Sequence, residues 1–400
     1  MRRLVAVLGL SACLAACAST VSPFGADGDG GLPHDAWADS PGDHSFASDV
    51  APADEAGDGP SISADPGGCL TEPHQADLWG SPLSQFLNMQ ALGKDEGLIV
   101  DDDACVAYAV DPDRRAVVVL DLRNGSFGAE RSVITLPSSP WSLARSSDRS
   151  RLYVATGEPR LLRTVDIASR TTSELSLVAA DSHWPTLAER PIAVAAVGAD
   201  RLGVYLVPST QGWSETAGGI VHIADGNFTP WNTARGTTGP VAFVNSANAA
   251  TSVLTVDQGY ARIFLAGSDR VLDIDSENGA PGCVTPDGAT VLFGNRAVVA
   301  SDGALIRSRD PMADTGACEF APNGLDAWIT GTDVVRYIEN VVSNPRATRE
   351  AWLPRHSGSS FGLLLHPSRD SRILLYVLRS FDATASRLRR RLVSSIVPDL

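Results

Sequence analysis

A short apolar strand followed by a small polar turn recurs along most of this 400-residue chain. Residues 97–100 run into Asp101-Asp102-Asp103 in one copy, and residues 283–285 run into Pro286-Asp287-Gly288 in another. Seven such turns are centred near residues 102, 148, 199, 248, 287, 323 and 368, so the mean step is about 44 residues. A repeat of that length is typical of the four-stranded blade of a β-propeller.

A second pattern recurs where the third strand of each blade is expected. In Val119-Leu120-Asp121-Leu122 a polar residue lies between branched neighbours, as the two-residue period of a strand allows. The pattern returns at residues 164–167, 220–223, 271–274 and, more weakly, 334–337. Together the two patterns predict an all-β propeller over residues 95–400, with seven blades as the simplest count. Six or eight blades and a pair of β-sandwiches are the alternatives.

The second strands resemble those of the YVTN-type, WD40-like seven-bladed propellers. Leu152-Tyr153-Val154-Ala155-Thr156 matches the signature of that family, with Ala-Thr where Thr-Asn is usual. Residues 106–110 are a looser match, and the resemblance spans roughly residues 95–400. It implies the fold, and it also places the chain near propellers that act as lactonases, lyases or quinoproteins. Because one fold serves many functions, the resemblance does not assign an activity.

The first 16 residues have the order of a bacterial export signal. Arg2 and Arg3 precede an apolar stretch that is too short to span a bilayer, and small residues follow it. Leu14-Ala15-Ala16-Cys17 resembles the lipobox of bacterial lipoproteins, which implies cleavage before Cys17 and acylation of that cysteine. By the same resemblance, Ala18 favours the outer over the inner membrane. An ordinary signal peptide with a chance cysteine is the alternative.

Residues 17–68 read as an acidic, disordered tether. They contain ten acidic residues and no lysine or arginine, and Gly, Pro, Ser and Ala make up most of the rest. Such a segment cannot bury enough apolar surface to offset the entropy lost on ordering. The net charge of the whole chain is −15, which argues against nucleic acid as a partner.

Residues 69–94 lead from the tether into the propeller and suggest one short helix within residues 77–93. Ser81 suits the N-cap, Pro82 the first helical position and Gly93 the position after the helix.

Four cysteines follow Cys17, and an even number in an exported chain favours disulfides. Cys283 and Cys318 precede equivalent turns, which places them on the inner strands of adjacent blades. We therefore predict that these two are bonded, and that Cys69 bonds to Cys105 where the chain enters the domain.

The sequence shows no motif for a nucleophile, a metal or a cofactor, so we predict neither catalytic residues nor bound groups. Asp121, Asp166 and Asp273 fall at the same place in the third-strand pattern on separate blades. We interpret them as a repeated structural hydrogen bond.

Tryptophans form the one pattern that suggests a binding surface. In a propeller, the loops entering the inner strands and the loops joining second to third strands emerge on the same face. Aromatic residues on loops held by a rigid scaffold are typical of recognition surfaces, although packing between blades is the alternative interpretation. Trp141 lies in such a loop, and the candidate binding residues are Trp184, Trp213, Trp231, Trp352, His183 and Arg355. Trp328 lies in a second strand and is predicted to be core.

These observations favour a lipid-anchored envelope protein whose propeller binds a protein, a peptide or a glycan. An enzyme on the same fold and a purely architectural domain are the alternatives.

Replacing the cysteine of the lipobox tests the anchor. We expect Cys17→Ser to lose acylation, because a hydroxyl cannot form the thioether, and to leave an unprocessed or released protein. Metabolic labelling with a fatty-acid probe measures this. Label that persists in the variant would show that Cys17 is not the acceptor.

Overall fold

A computed structural model of the chain describes residues 69, 72–82, 97–179, 190–207, 217–230, 241–256, 260–268, 270–275, 282–293, 296–308, 318–330, 334–352, 361–367, 373–382 and 387–396. The described residues form 29 β-strands in seven sheets, which are antiparallel except for one short parallel strand. They include no helix that is long and apolar enough to cross a membrane. They belong to one compact unit, Ala64–Leu400.

The first strand along the chain, β1 (His74–Pro82), joins the last sheet, and each of the other sheets takes consecutive strands. Blades 1 to 3 consist of β2 (Leu98–Asp101), β3 (Val106–Asp111), β4 (Ala116–Asp121), β5 (Glu130–Thr135); β6 (Ser142–Arg145), β7 (Arg151–Ala155), β8 (Leu161–Asp166), β9 (Thr172–Ser176); and β11 (Arg190–Val197), β12 (Arg201–Val207), β13 (Ala217–His222), β14 (Asn227–Pro230), with the short β10 (Val178–Ala179) added parallel to β14.

The remaining blades follow the same order, with the inner strand first. Blades 4 to 7 consist of β15 (Val241–Asn245), β16 (Thr251–Val256), β17 (Tyr260–Leu265), β18 (Val271–Asp275); β19 (Gly282–Val284), β20 (Thr290–Phe293), β21 (Arg296–Val299), β22 (Leu305–Ser308); β23 (Cys318–Phe320), β24 (Ala327–Thr330), β25 (Val334–Glu339), β26 (Arg346–Trp352); and β27 (Phe361–Pro367), β28 (Ile373–Asp382), β29 (Arg387–Ile396) with β1.

The sheets stand side by side in a ring, so the chain is a seven-bladed β-propeller, as the repeat predicts. The inner strands of blades 1 to 7 contact their neighbours in sequence order. Residues of blade 7, such as Leu375 and Leu392, share a buried cluster with Leu98 and Ala107 of blade 1, which closes the ring. The core therefore lies between blades rather than within any one of them.

A bulky aromatic residue in the second strand packs against the following blade. Tyr108 shares a buried cluster with Leu143 of blade 2, and Tyr205 shares one with Phe243 of blade 4. Tyr153 of blade 2 has the same role toward blade 3. All three side chains are buried, and an aromatic ring of this size contributes a large apolar area to each seam.

Three of the turns between first and second strands, those of blades 2, 4 and 5, share one hydrogen-bond pattern. In blade 5, Thr285 Oγ1 accepts from the Thr290 N–H at 2.9 Å, and Asp287 Oδ1 accepts from the Ala289 N–H at 3.0 Å. The next residue, Gly288, has a φ of +78°. In blade 2, Ser146 and Asp148 accept the equivalent two backbone hydrogen bonds. In blade 4, Ser246 and Asn248 do so. Six of the seven predicted turns are confirmed, and the seventh, near residue 368, lies outside the described residues.

The assignment of residues 271–274 to a third strand is wrong. In blade 4 the third strand is β17, and Val271–Asp275 forms the outer strand β18. The third strand, β17, follows β16 after a short gap and has six residues. Its sequence lacks the pattern of a polar residue between branched neighbours, so the pattern identified the next strand instead. Asp121 and Asp166 end the third strands β4 and β8. Asp273 lies on an outer strand, so its position is not equivalent to theirs.

Where the sequence suggests the start of a helix, the structure has the strand β1. Ser81 and Pro82 pair with Leu388 and Arg387 of β29. Proline is tolerated there because β1 is the outer strand of its sheet and its missing N–H leaves no neighbouring strand unsatisfied. Residues 83–96, which include Gly93, lie outside the described residues.

Both predicted disulfides are present. Cys283 and Cys318 join the inner strands β19 and β23 of adjacent blades, with 5.4 Å between their Cα atoms. Cys69 and Cys105 join the residues before β1 to the first turn of blade 1, with 5.2 Å between their Cα atoms. Each closes a loop of about 36 residues and typically stabilises a fold by ~2–4 kcal/mol.

Two glycines allow the cost of a positive φ to be measured apart from the cost of crowding between two blades. Gly288 and Gly267 both have positive φ, +78° and +73°. A Cβ on Gly288 would lie 2.8 Å from Thr251 Oγ1, which donates a hydrogen bond to the Gly288 carbonyl across blades 4 and 5, whereas a Cβ on Gly267 would meet nothing within 4 Å.

We therefore expect Gly267→Ala to cost about 1 kcal/mol, from the positive φ alone. Gly288→Ala should cost about 1–3 kcal/mol more, because it also crowds the seam. Denaturant unfolding of both variants measures the difference. If both variants lose the same free energy of unfolding, Gly288 is not crowded by the neighbouring blade.

Candidate functional site

The two faces of the propeller differ in the loops they carry. Because strands alternate in direction, the loops entering the inner strands and the second-to-third-strand turns share one face, here called the upper face. Its described loops are residues 112–115, 136–141 and 156–160. The turns after the inner strands lie on the opposite, lower face.

Most of the predicted binding residues lie outside the described residues: Trp184, Trp213, Trp231, His183 and Arg355. Trp352 ends β26, where its backbone pairs with Val334, the first residue of β25. That position is at the upper face, as predicted. As binding residues, all six stay predictions.

Trp141 marks the described part of the upper face. It lies just before β6, and its N–H donates to the Ala155 carbonyl at 2.7 Å. The indole is half-buried and rests against Gly157, where a Cβ would come within 2.8 Å of Nε1. Gly157 also needs its φ of +67°, so both space and conformation require glycine beneath the ring. Trp141 thus covers a turn of its own blade and keeps part of its indole exposed.

Blade 1 bonds to the loop that carries Trp141, and blade 3 bonds to the turn beneath the indole. The Ser139 hydroxyl donates to the Pro112 carbonyl of blade 1 at 2.9 Å. The Gly157 N–H donates to the Pro191 carbonyl of blade 3 at 3.2 Å. Side chain and backbone of blades 1 to 3 therefore fix the surroundings of the indole before any ligand arrives.

The turn beneath Trp141 is held by the buried guanidinium of Arg163. Its Nε and Nη2 atoms each donate to Glu158 at 2.8 Å, and Nη1 donates to Glu174 at 2.5 Å. The Thr156 hydroxyl donates to the same Glu158 carboxylate at 3.1 Å. Arg163 pairs with Glu174 directly across strands β8 and β9, so the strand register supplies one carboxylate and the turn supplies the other.

The charge on Glu158 is stabilised chiefly by Arg163, which lowers the pKa of that carboxyl below its ordinary value. A carboxylate with that pKa and two guanidinium hydrogen bonds is a poor proton donor at neutral pH. What this surface offers instead is a flat apolar ring in a rigid polar frame. Such a ring binds by stacking, as aromatic residues do in recognition surfaces.

The lower face carries ion pairs that join blades. Arg145 Nη1 lies 2.8 Å from the Asp101 carboxylate of the previous blade. The two groups form an ion pair without the geometry of a hydrogen bond. Arg149 pairs with Asp103 across the same seam. Asp101 and Asp103 thus belong to a seam between blades.

The predicted structural role of the strand aspartates is confirmed for Asp121 and Asp166. Asp121 accepts from Arg123 and Arg131, which hold the pKa of its carboxyl far below the ordinary value. Asp166 accepts from the Ser169 N–H and hydroxyl at 2.8 and 2.7 Å. On the outer strand β18, Asp273 instead accepts from Arg262 at 2.8 Å.

Trp328 is core, as predicted from its place in a second strand. It is fully buried in β24, and its ring centroid lies 4.8 Å from that of Tyr337. Within the part of the chain that the structure describes, no three His, Cys, Asp or Glu side chains are grouped as metal ligands would be.

No protein family and no curated protein matches this sequence. Solved structures that resemble the fold include the Dos1 propeller, at 13% identity and a TM-score of 0.49 over 74% of this chain and 77% of that chain. Hydrazine synthase of Kuenenia stuttgartiensis resembles it at 13% identity and a TM-score of 0.49, over 77% of this chain and 96% of that chain. The assignment of the fold rests on the strand topology described above.

The ion pair beneath Trp141 predicts a pH dependence. Because the pKa of Glu158 is lower in the folded than in the unfolded chain, its charge stabilises the fold above pH ~4.3, and this stabilisation is lost as pH falls through the folded pKa. Glu158→Gln should cost about 1–3 kcal/mol at pH 7 and progressively less in acid.

Glu174→Gln is the matched control, since Glu174 meets the same Arg163 but its side chain is 60% exposed. Its loss should be smaller at pH 7. Denaturant unfolding of both variants at pH 7 and in acid decides the matter, and a Glu158→Gln deficit that stays constant with pH would contradict this account.

Proposed function

We propose that the chain is a surface lipoprotein, acylated at Cys17, whose upper face binds a protein, a peptide or a glycan of the envelope or the exterior. The observation that carries the binding function is Trp141, a half-exposed indole on a loop that is bonded to blade 1 and lies over a turn that is bonded to blade 3. The sequence places Trp184, Trp213 and Trp231 in loops of the same face.

The two disulfides support the exported location. Disulfides persist in oxidising compartments such as the periplasm and the cell surface, and they are rare in the bacterial cytosol. The Cys69–Cys105 bond lies just beyond the acidic segment, at the point where the chain enters the domain.

The point where the chain enters the propeller lies on the face opposite to the proposed binding surface. Strand β1 is antiparallel to β29, which makes it begin at the lower face. Cys69 is bonded to Cys105 in a lower-face turn. A tether joined at Cys69 would therefore not cover the upper face at its point of attachment.

The proposed tether also supplies reach. Residues 17–68 would have an r.m.s. length of roughly 40 Å if they behave as a flexible chain, and self-repulsion among their ten acidic residues would extend them further. The tether would therefore let the propeller reach that far from the lipid surface.

Trp141 suggests the kind of ligand contact. A partly exposed ring in a polar frame stacks on the apolar face of a sugar, a proline or another aromatic ring. The nearest fixed carboxylate, Glu158, already receives bonds from Arg163 and Thr156, so it stabilises the platform rather than a cationic ligand.

Replacing single tryptophans separates binding from packing. We expect Trp141→Ala to weaken capture of envelope peptidoglycan, polysaccharide or protein at least ~30-fold, about 2 kcal/mol, with little change in thermal stability. Trp184→Ala and Trp213→Ala should behave in the same way if those side chains also bind. Binding of the purified domain to each isolated envelope fraction measures the first effect, and calorimetry measures the second.

Trp328→Ala is the control for a core residue, and it should cost about 3–5 kcal/mol of stability. If Trp141→Ala, Trp184→Ala and Trp213→Ala melt as early as this control and capture is unchanged, the tryptophans pack the blades and the proposed surface does not exist. A chemical conversion of one envelope fraction by the purified protein would instead favour an enzyme.

A further inference from the structure

The first described residue is covalently fixed before the ring-closing strand begins. Cys69 is buried and is bonded to Cys105, which lies in the turn between β2 and β3 of blade 1. Only four residues separate Cys69 from His74, the first residue of β1. The chain is therefore tied to blade 1 first, and only afterwards does it cross to blade 7.

Strand β1 itself is held by non-covalent contacts alone. It pairs with β29 from His74 to Pro82, with an irregularity between Leu78 and Ser81. Asp77 accepts a 2.7 Å hydrogen bond from Arg391 Nε, but the Asp77 side chain is 77% exposed. Exposed pairs of this kind add little stability, so the ladder and its packing supply most of the attachment.

Contacts to blade 1 add to that attachment. The His74 ring stacks on Phe127 with a centroid distance of 5.2 Å. Ala76 lies over Gly128, where an added Cβ would come within 2.1 Å of the Ala76 Cβ. The strand that completes blade 7 thus also touches the third-to-fourth-strand loop of blade 1, and its loss would open the ring at that seam.

We infer that the Cys69–Cys105 disulfide carries tension from the amino-terminal segment directly into blade 1 and so keeps that tension off β1. A pull on residues before Cys69 has two routes into the domain, through the disulfide or through residues 70–73 into the β1–β29 ladder. The covalent route is short and stiff, so it bears the force and little force reaches the hydrogen bonds between β1 and β29. Without the disulfide, the same pull acts on the hydrogen bonds that close the ring.

The source of the tension is the membrane tether, and in this respect the inference rests on the proposed function. A propeller anchored by its amino terminus and bound to something outside is pulled through that terminus. The disulfide between Cys283 and Cys318 joins two inner strands and lies on neither route, which makes it a natural internal control.

Thiol–disulfide exchange under force tests the inference on the native protein. A chain that begins at Cys17, unacylated, is held by a handle on the Cys17 thiol and by a second handle on Ala224→Cys, an exposed position in blade 3. A thiolate reductant attacks one sulfur of the disulfide, forms a mixed disulfide with it and releases the other cysteine as a thiolate.

If the Cys69–Cys105 bond carries the load, its cleavage should accelerate as the force rises. The load then passes to β1, whose detachment frees residues 70–97, or up to roughly 100 Å of chain at ~3.5 Å per residue. Without reductant, no step of this size should precede the unfolding of whole blades.

A cleavage rate that does not depend on force would overturn the inference, as would a ~100 Å first step in the oxidised protein. The double variant Cys283→Ala with Cys318→Ala should behave like the native chain, and disappearance of the early step in that variant would also overturn it. Because the handle replaces the lipid on Cys17, failure here is distinct from failure of acylation, which the labelling experiment reports.

Discussion

A ring of seven sheets holds together only if its first and last blades meet, and here the pairing of β1 with β29 makes that junction. Blade 7 has three strands from the end of the chain and takes its outer strand from residues 74–82. The buried cluster of Leu98, Leu375 and Leu392, which also includes Leu78 of β1, joins this sheet to blade 1. Every other seam follows chain order, so closure is the one long-range step in the fold. Non-covalent contacts of His74 and Ala76 and one disulfide support it from the side of blade 1.

The seams also determine how the faces are used. Buried aliphatic residues occupy the middle of the seams, and tyrosines join them in the three seams between blades 1 and 4. Ion pairs and turn hydrogen bonds occupy the lower rim. On the upper face the described polar groups hold loops rather than blades, as Arg163 does for the turn beneath Trp141. A rigid scaffold under a partly exposed ring is the arrangement that the proposed binding function needs. The lower rim is suited to stability and to attachment of the chain.

Local chemistry explains why the sequence predicts some elements and misses others. The first turns are recognisable because a residue such as Asp287 or Asn248 bonds to the backbone two residues later, which restricts the residue types at that place. Strand β1 is missed because its partner lies more than 300 residues away, and Pro82 suggests a helix when read without β29. Likewise, Arg163 finds Glu174 through strand register, which no short pattern reveals. The face that carries Trp141 could be predicted from topology, but the platform beneath it could not.

Amide hydrogen exchange in the oxidised protein, followed strand by strand, tests the closure of the ring most directly. If β1 completes blade 7, the N–H groups of Gln75–Leu78 that bond to β29 should exchange as slowly as those of β28 and β29 and should lose protection together with them. Exchange of the β1 amides at the rate of unpaired chain, while β28 and β29 stay protected, would contradict the account, because the ring would then be closed without its amino-terminal strand.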